Sequence, residues 1–214
     1  MIYLLSPLTK AGTQPLPMID FEVVADRIDF AQSNLLMFTS KQAVEVAEEI
    51  DPHWKSYPTI AIGGATKAKI ETMGGKVVYH PKSFYGEHLA KDIIEFFSDK
   101  TILYLRPETV SFDSKGFLAQ AGIDLHEQVI YRTLCRTYKR DDQPKRGAII
   151  IFTSPSTIRC FFANFVWDES YTAVLIGHAT KAHLPKGCRY AVADAPLIDS
   201  CIKKAKEIEK TSDI

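Results

Sequence analysis

Two segments of the chain close a strand-like apolar run in nearly the same residues. IAIGGATKAKI at 60–70 and VLIGHATKAHL at 174–184 each pass through a glycine into Ala-Thr-Lys-Ala, and Gly63 and Gly177 lie 114 positions apart. A second pair keeps that offset, since Phe38-Thr39-Ser40 recurs as Phe152-Thr153-Ser154. Two motifs at one spacing point to a duplicated structural unit rather than to coincidence. They also restrict the fold. An apolar run that passes through Gly or Ser into an amphipathic stretch reads as a strand feeding a helix, and strands separated by helices form parallel sheets covered on both faces.

The rest of the chain keeps this alternation. LLMF (35–38) leads into TSKQAVEVAEEI, where Ala43, Val46, Ala47 and Ile50 recur at the spacing of one helix face behind Ser40 as N-cap. TIAI (59–62) precedes a helix from about Thr66 that Gly74-Gly75 closes, and KVVYH (76–80) is the next strand. GEHLAKDIIEFF (86–97) reads as a helix with Leu89, Ile93, Phe96 and Phe97 inward, and TILYLRP (101–107) as a strand followed by a helix ending near Gly122. In the second half, AIIIF (148–152) precedes TSPSTIRCFFANF, with Ile158, Phe161, Phe162 and Phe165 on one face. TAVLI (172–176) precedes a helix near Thr180, RYAVA (189–193) is a further strand, and a last helix turns Ile198, Cys201, Ile202 and Ala205 inward.

A different offset orders the two copies. Ile2–Pro7 resembles Ile102–Pro107 at an offset of 100, so this strand precedes the Phe-Thr-Ser motif in one copy and follows it in the other. Nesting is the simplest arrangement. It makes 1–16 with 134–214 one discontinuous α/β domain, 24–128 an inserted one, and 17–23 with 129–133 a connecting ribbon. The expected fold class is therefore α/β, with two duplicated, doubly wound parallel-sheet lobes joined by a two-stranded ribbon.

Composition excludes several functions. Lys+Arg and Asp+Glu number 26 each, so no basic surplus points to nucleic acid. Cys135, Cys160, Cys188 and Cys201 form no CxxC pair and stand at no zinc-ligand spacing with histidine, so reduced thiols and no metal are expected. MIYLLSPLTK carries no basic leader, so no signal peptide is expected, and AIIIF is far shorter than the roughly 20 residues of a membrane span. A soluble cytoplasmic protein is the expectation. No HExxH occurs, and GGK at 74–76 lacks the spacing of a phosphate-binding loop.

Taken in order, LLMFTSKQAVE, AIGGATKAKI, VIYRT, IIIFTSPSTIRCFF and VLIGHATKAHL resemble the uroporphyrinogen-III synthase family over roughly residues 35–185. The resemblance implies two lobes joined by a ribbon, a substrate cleft between them, and a monomer without cofactor or metal. It implies a lyase that closes the linear tetrapyrrole hydroxymethylbilane, inverting ring D through a spiro intermediate. One departure stands out: only TKAGTQPLP (9–17) follows the first strand, where the family carries a full helix.

The candidate site residues follow from the strand ends. A strand entering a helix through Gly or Ser exposes free N–H groups that favour anions. Thr39, Ser40, Gly63, Ala65 and Thr66 mark two such ends in the inserted lobe, and Ser154, Ser156, Gly177 and Thr180 two in the other. They and Arg106, at the end of its strand, are the expected carboxylate binders. The resemblance places Tyr131 of VIYRT at the cleft as proton donor. Bland roles compete throughout: Ser40, Thr66, Ser154 and Thr180 as helix caps, Tyr131 as ribbon packing, Arg106, Lys67 and Lys181 as solvated surface. A two-lobed binding or regulatory protein that closes on an anionic metabolite without turning it over is the alternative function.

Overall fold

The computed structural model describes residues 1–31, 33–83 and 85–212. Its strands in chain order are β1 (Ile2–Leu4), β2 (Gln14–Pro15), β3 (Ile19–Val23), β4 (Leu35–Phe38), β5 (Pro58–Ala61), β6 (Lys76–Tyr79), β7 (Ile102–Pro107), β8 (Leu125–Cys135), β9 (Ile149–Phe152), β10 (Thr172–Leu175) and β11 (Tyr190–Val192). The helices are α1 (Lys41–Ile50), α2 (Gly64–Thr72), α3 (Gly86–Phe96), α4 (Ser114–Ala119), α5 (Pro155–Asn164), α6 (His178–Lys181) and α7 (Ile198–Ser212). The chain divides into two compact units, one holding Met1–Asp20 with Leu134 onward and the other Phe21–Thr133.

The first unit is a five-stranded parallel sheet in the order β11-β10-β9-β1-β2. Successive strand residues point to opposite faces, so IIIF of β9 feeds two cores at once. Ile150 and Phe152 pack with Tyr3, Leu5, Phe161 and Tyr171, while Ile149 and Ile151 pack with Ile2, Leu4 and Val174 against Cys201, Ile202 and Ala205 of α7. Strands buried on both faces need unbroken apolar runs, which explains why these positions are all aliphatic or aromatic. The connection after β1 contains no helix. It turns at Gly12, whose φ of 77° suits glycine, and returns as the edge strand β2.

The second unit is a six-stranded sheet in the order β3-β8-β7-β4-β5-β6, parallel from β8 to β6. Leu36, Phe38, Leu103 and Leu105 face α1 and Trp54, whereas Leu35, Met37, Ile60 and Tyr104 face Leu89 and Ile93 of α3. Gly74 closes α2 at a φ of 87°, and a Cβ on Gly75 would sit 2.4 Å from the Trp54 ring, so no larger residue fits there. The Trp54 indole N–H donates to Glu48 at 2.9 Å. Strands β3 and β8 run antiparallel, since Val24 N–H donates to Ile130 O while Arg136 N–H donates to Met18 O. Arg132 grips Glu22 through two 2.9 Å bonds, and Arg136 holds Asp20 at 2.6 and 2.9 Å, which fixes the register with paired charges.

Three expectations need correction. Phe96 is 54% exposed, and α3 instead buries Leu89, Ala90 and Ile93 with Phe97 packed on the same core, because position 96 lies at the edge of that stripe, beside the Tyr79 ring. The helix expected near Thr180 is the single turn α6, starting at His178. The thiols are not all reduced: Cys135 and Cys160 form a disulfide across 25 residues, tying the end of β8 to α5, while Cys188 and Cys201 are free. Sequence spacing carries no sign of this pair, because only the packing of α5 beneath β8 brings the two sulfurs together.

Denatured, unreduced protein is therefore expected to titrate two thiols per chain, rising to four after reduction. Reduction should also lower folding stability by about 3 kcal/mol in the loop-entropy picture, read by thermal or urea denaturation of oxidised and reduced samples.

Candidate functional site

The strand ends resolve into two kinds of turn. Ser40 is the N-cap of α1 and its hydroxyl accepts the Ala43 N–H at 3.0 Å. Ser154 caps α5 in the same way, accepting the Thr157 N–H at 3.2 Å, and Thr157 returns the bond to the Ser154 amide. Both serines thus have a structural task, as their N-cap positions led one to expect.

Thr66 and Thr180 do not cap. The N-cap of α2 is Gly63 and that of α6 is Gly177, neither with a side chain to offer. Their φ values of 175° and −179° are extended backbone, so the glycines are not needed for conformation. The turns are open around them: a Cβ on Gly177, or on Gly64 beside Gly63, would meet nothing within 4 Å. At the start of α2 the first amide to bond back is that of Lys67, to Gly63 O at 2.9 Å. Among the described residues, the amides of Gly64, Ala65 and Thr66 have no protein acceptor. At α6 the amides of Thr180 and Lys181 reach Gly177 O, which leaves those of His178 and Ala179 open. Thr66 and Thr180 are 5% and 3% exposed, yet among the described residues neither hydroxyl has a protein partner.

Each open turn lies beside a capped one. Ile62 N–H donates to Phe38 O, bringing Gly63 next to Ser40 in the second unit, and Ile176 N–H donates to Phe152 O, bringing Gly177 next to Ser154 in the first. Ser156 is half-buried on the first turn of α5, and Ala65 is exposed on that of α2. Lys67 reaches Glu71 at 3.9 Å and the Lys181 ammonium lies 5.0 Å from the Tyr190 ring centre, both on the helix surface.

Two phenols meet the carboxyl end of β4. The Tyr131 hydroxyl is 2.9 Å from the Ser40 hydroxyl, and the Tyr104 hydroxyl is 2.6 Å from that of Thr39. Tyr131 is buried, with the Phe21 ring edge-on at 5.7 Å. Burial pushes the Tyr131 phenol above its ordinary value, against the opposing hydrogen bond from Ser40. Burial pushes Tyr104 up to about 12, with the Thr39 hydrogen bond acting the other way. Both phenols accordingly remain protonated at neutral pH.

Arg106 is already engaged. Its Nε lies 3.3 Å from Glu127, and Nη1 donates to the carbonyls of Pro107 and Glu108 at 3.1 Å each. Its charge is largely balanced within the unit, so an incoming carboxylate has to compete with Glu127. Tyr104, Glu127 and Phe21 were not singled out from the sequence. Tyr104 precedes Arg106 by two on one strand, hence on one sheet face, and that alternation was the available signal.

Among the described residues, no group of three or more His, Cys, Asp and Glu side chains is placed to hold a metal ion. No helix is long and apolar enough to cross a membrane. An open groove of about 610 Å³ lies between Lys10 and Ala11 and the α7 residues Asp199, Ile202, Lys203 and Lys206, and none of the expected site residues lines it.

The family model described as uroporphyrinogen-III synthase HemD matches residues 5–203. No curated protein matches the chain significantly in sequence. Among solved structures, the uroporphyrinogen-III synthetase of Helicobacter pylori aligns with a TM-score of 0.81 at 24% identity, covering 97% of this chain and 98% of that one. A mutant uroporphyrinogen III synthase of the extremely thermophilic bacterium Thermus thermophilus aligns with a TM-score of 0.59 at 12% identity, with 98% of each chain covered. At these identities the likenesses show the fold.

The two turn types give different expectations for stability. Ser40→Ala should cost about 1 kcal/mol through the lost cap. Thr66→Val should change stability by less than about 0.5 kcal/mol, because its hydroxyl bonds no protein group. Urea denaturation of both variants checks this.

Proposed function

The chain belongs to the uroporphyrinogen-III synthase family, and from that premise we propose how its own residues carry out cyclisation of hydroxymethylbilane. The enzyme is a lyase of tetrapyrrole biosynthesis. Its substrate is a flexible poly-carboxylate that closes unaided to the uninverted isomer. The enzyme has to favour one path over another: sending about 99% of product to one isomer needs about a hundredfold advantage, or ~2.7 kcal/mol of differential barrier. Holding the chain in one conformation supplies that magnitude.

The observation that carries the site assignment is the pair of open turns, where unpaired amides occur together with the unpartnered hydroxyl of a largely buried threonine. In the second unit, the amides of Ala65 and Thr66 and the Thr66 hydroxyl take a substrate carboxylate at the positive end of α2, with Gly63 keeping the approach clear. In the first unit, Gly177 and Thr180 do the same. Because α6 is one turn long, binding there rests on individual hydrogen bonds rather than a helix dipole. Thr39, Ser40, Ser154 and Ser156 add hydroxyl donors, and Arg106 adds a cation already tempered by Glu127. The offset of 114 supports reading the two units as copies that carry the same kind of carboxylate-binding turn.

Tyr131 supplies the proton with which the hydroxymethyl oxygen leaves as water. The substituted carbon of ring D attacks the methylene of the resulting ring-A azafulvene. The spiro species then breaks the bond from that carbon to the bridge between rings C and D and recloses through the free α-carbon of ring D. The proton lost there restores the Tyr131 phenol. A phenol raised above its ordinary value is a weak acid, so this step contributes modestly and positioning contributes most. The enzyme works as a cytoplasmic monomer without metal or cofactor and has no nucleic-acid partner. No observation favours the non-catalytic binding alternative.

Freshly made hydroxymethylbilane with resolved uroporphyrinogen isomers is the test: type III is expected, and type I alone at the spontaneous rate would overturn the reading. Tyr131→Phe should retain type III formation at a rate reduced by no more than about a hundredfold. That ratio should stay constant from about pH 6 to 9, since a raised phenol pKa leaves the group protonated throughout. Thr66→Val and Thr180→Val should each raise KM about fivefold, the equivalent of one hydrogen bond.

A further inference from the structure

We propose that Tyr104 is a positioning residue that acts through Thr39, fixing the threonine hydroxyl as a donor to a substrate oxygen. The inference rests on the cyclisation reading above. It begins from a question of proton order, because in a hydroxyl pair 2.6 Å apart either oxygen can donate. Tyr104 is 3% exposed, and Thr39 is its one hydrogen-bond partner among the described residues. Were Thr39 the donor, the phenol proton would have no hydrogen-bond acceptor among the described residues. An unmade hydrogen bond of that kind costs more than the bond is worth. Thr39 is half-exposed, so its own proton can find an acceptor outside the protein. The stable order is therefore Tyr104 O–H donating to Thr39 Oγ1, with the Thr39 proton directed outward.

The surroundings hold that order. Glu127 stands opposite Tyr104 in the β7–β8 register, and Arg106 follows it on the same sheet face, so a carboxylate and a guanidinium lie near the phenol with opposing influence. Burial keeps the phenol protonated across neutral pH, so the donor is permanent rather than switched. The adjacent residue repeats the arrangement: Ser40 meets the buried phenol of Tyr131 at 2.9 Å. Consecutive hydroxyls at the end of β4 are thus each backed by a phenol, one from β7 and one from β8. A threonine held this way loses one of its three rotor positions to the phenol, which narrows its donor directions and favours recognition of one carboxylate or hydroxyl oxygen.

The test compares wild type, Tyr104→Phe, Thr39→Val, the double variant and Thr39→Ser in the hydroxymethylbilane assay, with melting temperatures measured alongside. Tyr104→Phe keeps the ring in the core and removes only the donor. The expected result is a KM raised about fivefold in Tyr104→Phe, with kcat within about twofold of wild type. Thr39→Val should match it, the double variant should be no worse than Thr39→Val, and Thr39→Ser should stay near wild type. Multiplying effects in the double variant would overturn the inference, because a purely structural phenol acts independently of Thr39. So would wild-type KM in Tyr104→Phe while the wild type forms type III. A wild type that forms only type I overturns the cyclisation reading together with this one.

Discussion

Parallel strands all leave their sheet by the same edge, and each must then enter a helix whose first amides have lost their partners. That constraint governs this chain. Every crossover from β4, β5, β9 and β10 delivers unpaired N–H groups to one edge of its own sheet. Each set must be capped from within or left for something else to satisfy. Within each unit the two central turns take opposite solutions. Serine closes the starts of α1 and α5, and glycine leaves the starts of α2 and α6 open, with a largely buried threonine behind each opening.

That division puts capped and open turns on neighbouring strand ends. Capped turns anchor the helices that cover the sheet, so the open turns are held rigidly without spending their own donors. In the second unit the capped turn is tied further by phenols. Ser40 serves the α1 amide and Tyr131 together, and Thr39 serves Tyr104. Hydroxyls paired with buried phenols in this way have few arrangements in which every proton finds an acceptor.

The connection after β1 shows how the fold tolerates loss of a covering helix. The short segment through Gly12 returns as β2 and extends the sheet by one edge strand, while α7 covers the face on which Ile2 and Leu4 lie. Across the sheet, Leu16 and Met18 join the core of β9 and α5 directly. The Cys135–Cys160 bond and the Asn164 side chain, which donates to Arg136 O and accepts from the Tyr138 amide, fasten the end of β8 to α5. This holds the chain in place as it re-enters the first unit.

Strand–helix alternation, the positions of nearly all strands, the serine caps and the repeated glycine turns were legible in the sequence, because they depend on period, local turn chemistry and spacing. Phe96 was misjudged because helical periodicity reports a face but not how wide a stripe of it the sheet covers. The disulfide, the Tyr104–Thr39 and Tyr131–Ser40 pairs and the engagement of Arg106 by Glu127 join residues 21 to 91 positions apart. Sequence by itself determined that this chain makes parallel sheets with amide-rich turns, since that follows from short-range sterics and burial. Which hydroxyls are used up and which stay open was decided only by tertiary packing, because a hydrogen bond depends on where two distant strands place their side chains within about 3 Å.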